Sequence, residues 1–149
     1  GKAGDSMMTL EVVGGRRVLR GSLVNSGEPH FVMRTADMSS LAVRDIGDKV
    51  NKNLKRFPKG VNLNFVQVVG PHEISIRTYE RGVYDETLAC GTGATASAAG
   101  ALMLGWVKPG PVNVKVRGGR LRIEIDGDGR ARMTGPAEME FEGALNAVV

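Results

Sequence analysis

The residues best suited to chemistry lie in one segment, YERGVYDETLACGTGATA, which spans residues 79–96 and contains the only cysteine of the chain, Cys90. Glycine and other small residues follow this thiol at once, a pattern that predicts the start of a helix. The N-terminus of a helix has unpaired N–H groups and the positive end of the helix dipole, so it lowers the pKa of a thiol and can bind an anion. Glu80 and Arg81 lie just upstream. Together these features predict a site for a small zwitterion.

Glu80 ends a strand predicted at residues 73–80, in which side chains alternate between two faces. Ile74, Ile76 and Thr78 share the face of Glu80, so this carboxylate continues an apolar surface. It is therefore either a site residue or a carboxylate at a strand end where the face opens to water.

Two asparagines lie on one face of the preceding strand, predicted at residues 62–69. Asn62 and Asn64 project together beyond an apolar patch formed by Val66 and Val68. Because amides are disfavoured inside strands, the pair indicates hydrogen bonding, either to a ligand or to neighbouring backbone groups.

Cys90 has several alternative interpretations. A lone cysteine is often a small buried hydrophobe, and CGTG lacks the Lys-Ser or Lys-Thr pair of a phosphate-binding loop. One cysteine and two scattered histidines argue against a metal site. A cysteine hydrolase would pair Cys90 with His30, which follows Pro29 and could reach a cleft, or with His72, which lies in a predicted hairpin turn.

Length and composition predict one soluble globular domain, since the chain has 149 residues, 42% hydrophobic and 24% charged. With only 5% aromatic residues and 21 glycines, the core must be built from smaller aliphatic side chains and Met. The net charge of +4 is spread along the chain, and its densest cluster, residues 49–59, predicts a solvated face rather than a nucleic-acid site.

A single cysteine excludes an internal disulfide and fits a reducing compartment. No signal peptide is visible, and the longest apolar stretch, residues 94–107, is too short and too rich in Gly, Ser and Thr to span a bilayer. We therefore expect a cytoplasmic protein with no membrane partner. Residues 1–6 are expected to be either a short expression scar or the remnant of a domain junction.

The predicted elements form an α+β domain in which short antiparallel strands surround one buried helix. Two hairpins are expected, one at residues 9–25 with a turn at Gly14 and Gly15, and one at residues 62–80 with a turn at Gly70 and Pro71. Residues 92–106 carry almost no charge, which predicts the buried helix. The other elements are a helix at 45–54 and strands at 31–35, 112–117, 121–126, 131–134 and 138–141.

The segment at residues 79–96 resembles the second half of diaminopimelate epimerase, as do GVNLNFVQV before it and MTGPAEMEFEG after it. The resemblance covers about residues 24–143, with the order of the motifs kept. It implies a curved, mostly antiparallel sheet wrapped around a central helix. It also implies an isomerase of lysine and cell-wall precursor synthesis that interconverts LL- and meso-diaminopimelate without a cofactor. Each of two similar halves then supplies one catalytic cysteine.

The resemblance implies catalytic roles for three residues. Cys90 matches the second-half cysteine, which removes or returns the α-proton of the substrate. Glu80 matches an acidic residue near the α-amino group, and His30 matches a histidine close to the thiols.

The resemblance also implies the substrate-binding residues. Gly91 and Thr92 match helix-entry amides that bind the α-carboxylate, whereas Arg81 and Asn62 match residues that hold the distal end of the substrate. The usual Gly-Asn-Pro-His motif reads GEPH here, so Glu28 replaces an amide that contacts substrate.

The resemblance covers only one of the two halves, so we expect this single domain, residues 1–149, to be the C-terminal half, with an N-terminal half as its partner. Inversion needs a proton to leave one face of the α-carbon and another to arrive on the opposite face, and one thiol tends to return its proton to the first face. We therefore expect the isolated chain to invert little or nothing. A homodimer with two Cys90 thiols across one cleft is another arrangement, but it would duplicate Arg81.

Two other functions fit parts of the pattern. A related cysteine racemase acting on proline would share the thiol, but Glu80 and Arg81 argue against it because proline has no distal charge. A non-catalytic binding module would keep the scaffold, with ordinary reactivity at Cys90 and no protection by diaminopimelate.

Overall fold

The computed structural model describes residues 7–11, 18–53, 55–88, 91–135, 140–144 and 146–148. Residues 1–6, the predicted turn at Gly14 and Gly15, and Cys90 lie outside them. No helix within the described ranges is long and apolar enough to cross a membrane.

The described part of the chain contains eleven strands and two helices. The strands are β1 (Met7–Glu11), β2 (Val18–Asn25), β3 (Pro29–Arg34), β4 (Asn62–Gly70), β5 (Glu73–Glu80), β6 (Asp85–Thr87), β7 (Val112–Val116), β8 (Gly119–Ile125), β9 (Arg130–Thr134), β10 (Glu140–Ala144) and β11 (Asn146–Val148). Helix α1 (Val43–Asn51) connects β3 to β4, and helix α2 (Gly91–Met103) connects β6 to β7.

One curved sheet surrounds α2. The strands follow the order β1-β2-β3-β4-β5-β7-β8-β9-β10, while β6 pairs with β5 and β11 pairs with β2. The β3–β4 and β5–β7 pairs are parallel because a helix returns the chain to the same end of the sheet, and the other pairs are antiparallel. Helix α2 contacts β2, β3, β4, β5, β7, β8 and β9, which is possible only if the sheet curves around the helix. The predicted α+β architecture is confirmed.

The alternation of side chains gives the sheet two packed faces. The inner face packs against α2 through branched aliphatic residues, among them Val32, Val66, Ile74, Ile76, Val112, Val114 and Ile123. On the outer face, the larger side chains of Phe31, Met33, Leu63, Phe65 and Tyr79 form one cluster with Ile46 and Val50 of α1. Because Asn62, Asn64, Thr78 and Glu80 have the parity of the inner set, they belong to the α2 side of the sheet.

Asn51, at the end of α1, fixes the start of β4. Its Nδ2 donates to the carbonyl groups of Gly47 (2.8 Å) and Val61 (3.2 Å), and its Oδ1 accepts from the N–H of Val61 (2.7 Å). Gly60, with φ +78°, makes the preceding turn. The position of Asn62, the first residue of β4, is therefore set by α1 as well as by the sheet.

Helix α2 lies very close to the inner face of the sheet. A Cβ atom on Gly93 would lie 2.9 Å from Oδ1 of Asn64, and one on Gly100 would lie 3.0 Å from Cγ1 of Val32. Residues 93–98 are all buried, which confirms the predicted burial of the uncharged helix. Small side chains thus allow a helix of 13 residues to occupy the space inside the sheet.

The predicted helix at residues 92–106 extends too far, because α2 ends at Met103. Gly105 adopts φ +73°, and a Schellman motif closes the helix. The N–H of Trp106 donates to the carbonyl of Ala101 (2.8 Å), and the N–H of Gly105 donates to that of Leu102 (3.2 Å). Helix α1 covers residues 43–51 rather than the predicted 45–54, and strands β6 and β11 were not predicted.

We predict that Gly93→Ala lowers the free energy of unfolding by about 1–2 kcal/mol, because overpacking against Asn64 outweighs the gain of about 1 kcal/mol in helix propensity. Urea denaturation of the variant and the wild type measures this difference. Gly127→Ala is the matched control, since no atom lies within 4 Å of its built Cβ. A Gly93→Ala variant as stable as the wild type would contradict the close packing.

Candidate active site

Four elements bring the predicted site residues to one end of the sheet. His30 and Asn62 lie opposite each other at the starts of the parallel strands β3 and β4. Strand β5 runs antiparallel to β4, so Glu80 and Arg81 follow at the same end, beyond the Leu63–Tyr79 pair. The N-terminus of α2 is at this end too, since Gly93 lies against Asn64. His72, in the turn at the other end of β4, is remote from this group.

The Asn62 side chain hydrogen-bonds to three groups at this end of the sheet. Its Oδ1 accepts from the backbone N–H of Arg81 (2.9 Å), and its Nδ2 donates to Oε2 of Glu28 (3.2 Å) and to the carbonyl of Pro29 (3.3 Å). Nη2 of Arg81 lies 3.9 Å from Oε1 of Glu28. Glu28 therefore lies where an anionic ligand of Arg81 and Asn62 would bind.

His30 is fully buried in a hydrogen-bonded chain of side chains on the inner face. Its Nδ1 lies 2.8 Å from Nδ2 of Asn64, whose Oδ1 accepts from the hydroxyl of Thr78 at 2.8 Å. Burial, and then the positive charge of Arg81, lower the pKa of His30 from 6.5 to about 4. The imidazole is therefore neutral at neutral pH.

Glu80 is half-buried at the end of β5, and its Oε1 accepts from the hydroxyl of Thr87 at 2.8 Å. Thr87 reaches this position because β6 pairs with the last three residues of β5, whereas β7 pairs with its first three. The turn before β6 is tight: the N–H of Tyr84 donates to the carbonyl of Glu80 (2.8 Å), and Tyr84 adopts φ +57°.

The first turn of α2 is bound to the hairpin that precedes His30. The hydroxyl of Ser26 donates to the carbonyl of Thr92 at 2.8 Å. A Cβ atom on Gly91 would lie 2.8 Å from Cε of Met133, so the helix start lies close to this side chain of β9. The first N–H groups of a helix have no acceptor within the helix itself, so this end can bind a carboxylate. Cys90, outside the described residues, immediately precedes Gly91 in the chain.

Three further residues support the site and were not singled out from the sequence: Ser26, Thr78 and Thr87. The strand period predicts that Thr78 shares the face of Glu80, but it does not predict the hydrogen bond from Thr78 to Asn64. Ser26 and Thr87 carry no comparable local signal, because their partners depend on how hairpins and helix come together.

The arrangement can bind a small molecule that carries both charges. Arg81 and the start of α2 provide positive potential, and Glu80 and Glu28 provide carboxylates. Among the described residues, no group of three or more His, Cys, Asp or Glu side chains could hold a metal ion.

The fold is shared with solved structures of phenazine biosynthesis proteins of the PhzF type. A PhzC/PhzF protein from Clostridium difficile has a TM-score of 0.54 and 16% identity, and the match covers 74% of this chain and 41% of that one. A PhzF family protein from Enterococcus faecalis has a TM-score of 0.54 and 14% identity, with the same coverage. At this identity the likeness establishes the fold alone.

Sequence comparison assigns the chain more specifically than the fold does. The profile of the diaminopimelate epimerase family matches residues 22–140. The diaminopimelate epimerase of Alkalilimnicola ehrlichii is 45% identical over 91% of this chain, and that of Aquifex aeolicus is 44% identical over 92%. The chain therefore belongs to the diaminopimelate epimerase family.

The chain spans about half the length of these relatives. The matches cover 47% of the Alkalilimnicola protein, 50% of the Aquifex protein and, for a third relative from Methanocella arvoryzae, 43% of the protein.

Proposed function

We propose that this chain is the second, C-terminal half of a diaminopimelate epimerase, an isomerase of lysine and peptidoglycan precursor synthesis that needs no cofactor. The observation that carries the proposal is the convergence of Asn62, Glu80 and Arg81 with the first turn of α2 at one end of the sheet. Because the chain belongs to this family, we take diaminopimelate as the substrate. Each of its two ends carries an ammonium and a carboxylate.

The start of α2 stabilises the reaction in this proposal. Removing the weakly acidic α-proton builds negative charge toward the α-carboxylate. The N–H groups of Gly91 and Thr92 donate to that carboxylate, and such fixed donors stabilise the developing charge more in a site that excludes water. Glu80 lies beside the α-ammonium, with its carboxylate oriented by Thr87.

Cys90 acts as the base that removes the α-proton or as the acid that returns it. The N-terminus of a helix favours a thiolate, which makes this sulfur a usable base near neutral pH. Inversion requires a second acid/base on the opposite face of the α-carbon. We assign that group to the other half of the protein, so the isolated chain exchanges the proton without efficient inversion.

Arg81 and Asn62 hold the distal end of the substrate, and Glu28 modifies this interaction. The Glu28 carboxylate contacts both groups, so a distal carboxylate has to compete with it. The distal ammonium of diaminopimelate compensates by pairing with Glu28. This charge arrangement favours a substrate with both an ammonium and a carboxylate at its distal end. It gives no reason to prefer proline, which has no distal charged group.

The proposed function predicts that the chain exchanges the α-proton of diaminopimelate in D2O, measured as loss of the α-proton NMR signal. Exchange is expected to disappear in Cys90→Ala, because the thiol is the base. Inversion, measured by separation of stereoisomers, is expected to be absent or very slow in both proteins. Strong epimerase activity of the pure wild-type chain would contradict the assignment of the second acid/base to another half, and exchange that persists in Cys90→Ala would contradict the role of the thiol.

We predict that Glu28→Gln tightens binding of 2-aminopimelate, which has a distal carboxylate but no distal ammonium, by up to about fivefold. This factor follows from the typical value of about 0–1 kcal/mol for an exposed ion pair. NMR titration measures the affinity, and Glu124→Gln, on an exposed residue of β8, controls for net charge. Weaker or equal binding by Glu28→Gln would show that Glu28 does not compete for Arg81.

A further inference from the structure

The hydrogen-bonded chain of Thr78, Asn64 and His30 fixes the position of a proton. The hydroxyl of Thr78 donates to Oδ1 of Asn64, so the amide nitrogen of Asn64 faces Nδ1 of His30 at 2.8 Å. An amide nitrogen can only donate a hydrogen bond. Nδ1 of His30 must therefore be the acceptor, and a neutral imidazole with a free Nδ1 carries its proton on Nε2.

The proton on Nε2 lacks an acceptor among the described residues. His30 is 0% exposed, and its Nε2 is buried without a hydrogen-bond partner in that part of the chain. Leaving a buried donor without an acceptor is costly, so such groups usually have a partner in the working protein. His30 lies opposite Asn62 at the end of the sheet that carries the candidate site, so a ligand bound there can supply the acceptor.

The surroundings of His30 favour an anionic acceptor. His30 lies opposite Asn62, whose Oδ1 holds the backbone of Arg81, and its partner Asn64 lies under Gly93 in the first turn of α2. Arg81 and the positive end of the helix dipole both attract negative charge to this end of the sheet. A carboxylate oxygen is the anionic acceptor that an amino acid carries.

We propose that Asn64 and Thr78 are positioning residues that hold His30 as the Nε2–H tautomer, so that His30 donates a hydrogen bond to a carboxylate oxygen of the bound amino acid and does not act as a base. The identity of the acceptor rests on the proposed function, whereas the tautomer rests on the hydrogen-bond geometry alone. The low pKa of His30 agrees with this role, since the neutral ring keeps one donor and one acceptor through the physiological range.

Long-range 1H–15N correlation of the histidine-labelled chain at pH 7 tests the tautomer directly. The chain has only two histidines, and the exposed His72 can be assigned with His72→Gln. For His30, Nε2 is expected to resonate as a protonated nitrogen and Nδ1 as an unprotonated one, without change down to about pH 5. A protonated Nδ1 in the wild type would overturn the proposal, and this measurement needs no variant to fold.

Asn64→Asp tests the positioning role, because a carboxylate accepts and cannot donate. This variant is expected to move the proton to Nδ1 of His30 and so reverse the two nitrogen shifts. In Thr78→Val the amide loses the donor that orients it, and the two tautomers are expected to mix. If the His30 spectrum stays unchanged in both folded variants, Asn64 and Thr78 do not set the tautomer.

Addition of diaminopimelate to the wild-type chain tests the donor role. The Nε2–H proton of His30 is expected to shift downfield when a carboxylate accepts from it. Shifts at the amides of Gly91 and Arg81 without a shift at Nε2–H would overturn the donor role. If diaminopimelate does not bind at all, the proposed function and the donor role fail together, while the wild-type spectrum still decides the tautomer.

Discussion

The close approach of α2 to the inner face of the sheet is the constraint on which the candidate site depends. Gly93 leaves only enough space for the Asn64 amide beneath the first turn of the helix. The covered amide then satisfies its hydrogen bonds within the sheet, with Thr78 on one side and His30 on the other. A larger residue at position 93 would disturb the helix N-terminus and the imidazole together. The helix start and the polar side chains below it therefore form one unit.

The same end of the sheet carries several charged and polar groups because β4 begins and β5 ends there. Asn62 begins β4, Glu80 ends β5, and Arg81 follows it directly, so the sheet register alone brings an amide, a carboxylate and a guanidinium together. Asn51 holds the start of β4 from the side of α1. The packing of α1 against the outer face of the sheet thus helps to position Asn62, although none of the proposed site residues lies in α1. Opposite charges at one end of the sheet suit a zwitterion better than a simple anion.

Much of this arrangement could be predicted from the sequence, because the relevant signals are local. The two-residue period of strands places Asn62, Asn64 and Glu80 on one face, and the close approach of Gly93 in α2 to Asn64 confirms the inner face for Asn64. The run of small, uncharged residues at 92–106 predicts the burial of α2. Its end was predicted wrongly, since the left-handed conformation of Gly105 stops the helix before the apolar run finishes. Strands of three residues, such as β6 and β11, are too short for a period to be seen.

The long-range contacts could not be predicted in this way. His30 and Asn64 are 34 residues apart, and they meet only because β3 and β4 are parallel in one particular register. Thr87 reaches Glu80 only because β6 folds back along β5. Such pairings depend on how elements pack, and the pattern within each element does not contain them. The resemblance to the family implies a set of site residues, but it does not point to Thr78 or Thr87 as their supports.

One end of the sheet and the start of α2 are proposed to form a single amino-acid site. Chemical-shift mapping of the 15N-labelled chain with diaminopimelate tests whether these parts bind one ligand. We expect the largest changes to cluster at the amides of Asn62, Arg81, Gly91 and Thr92. Signals from the opposite end, around His72, should stay in place. Changes centred near His72, or scattered without a cluster, would contradict this proposal.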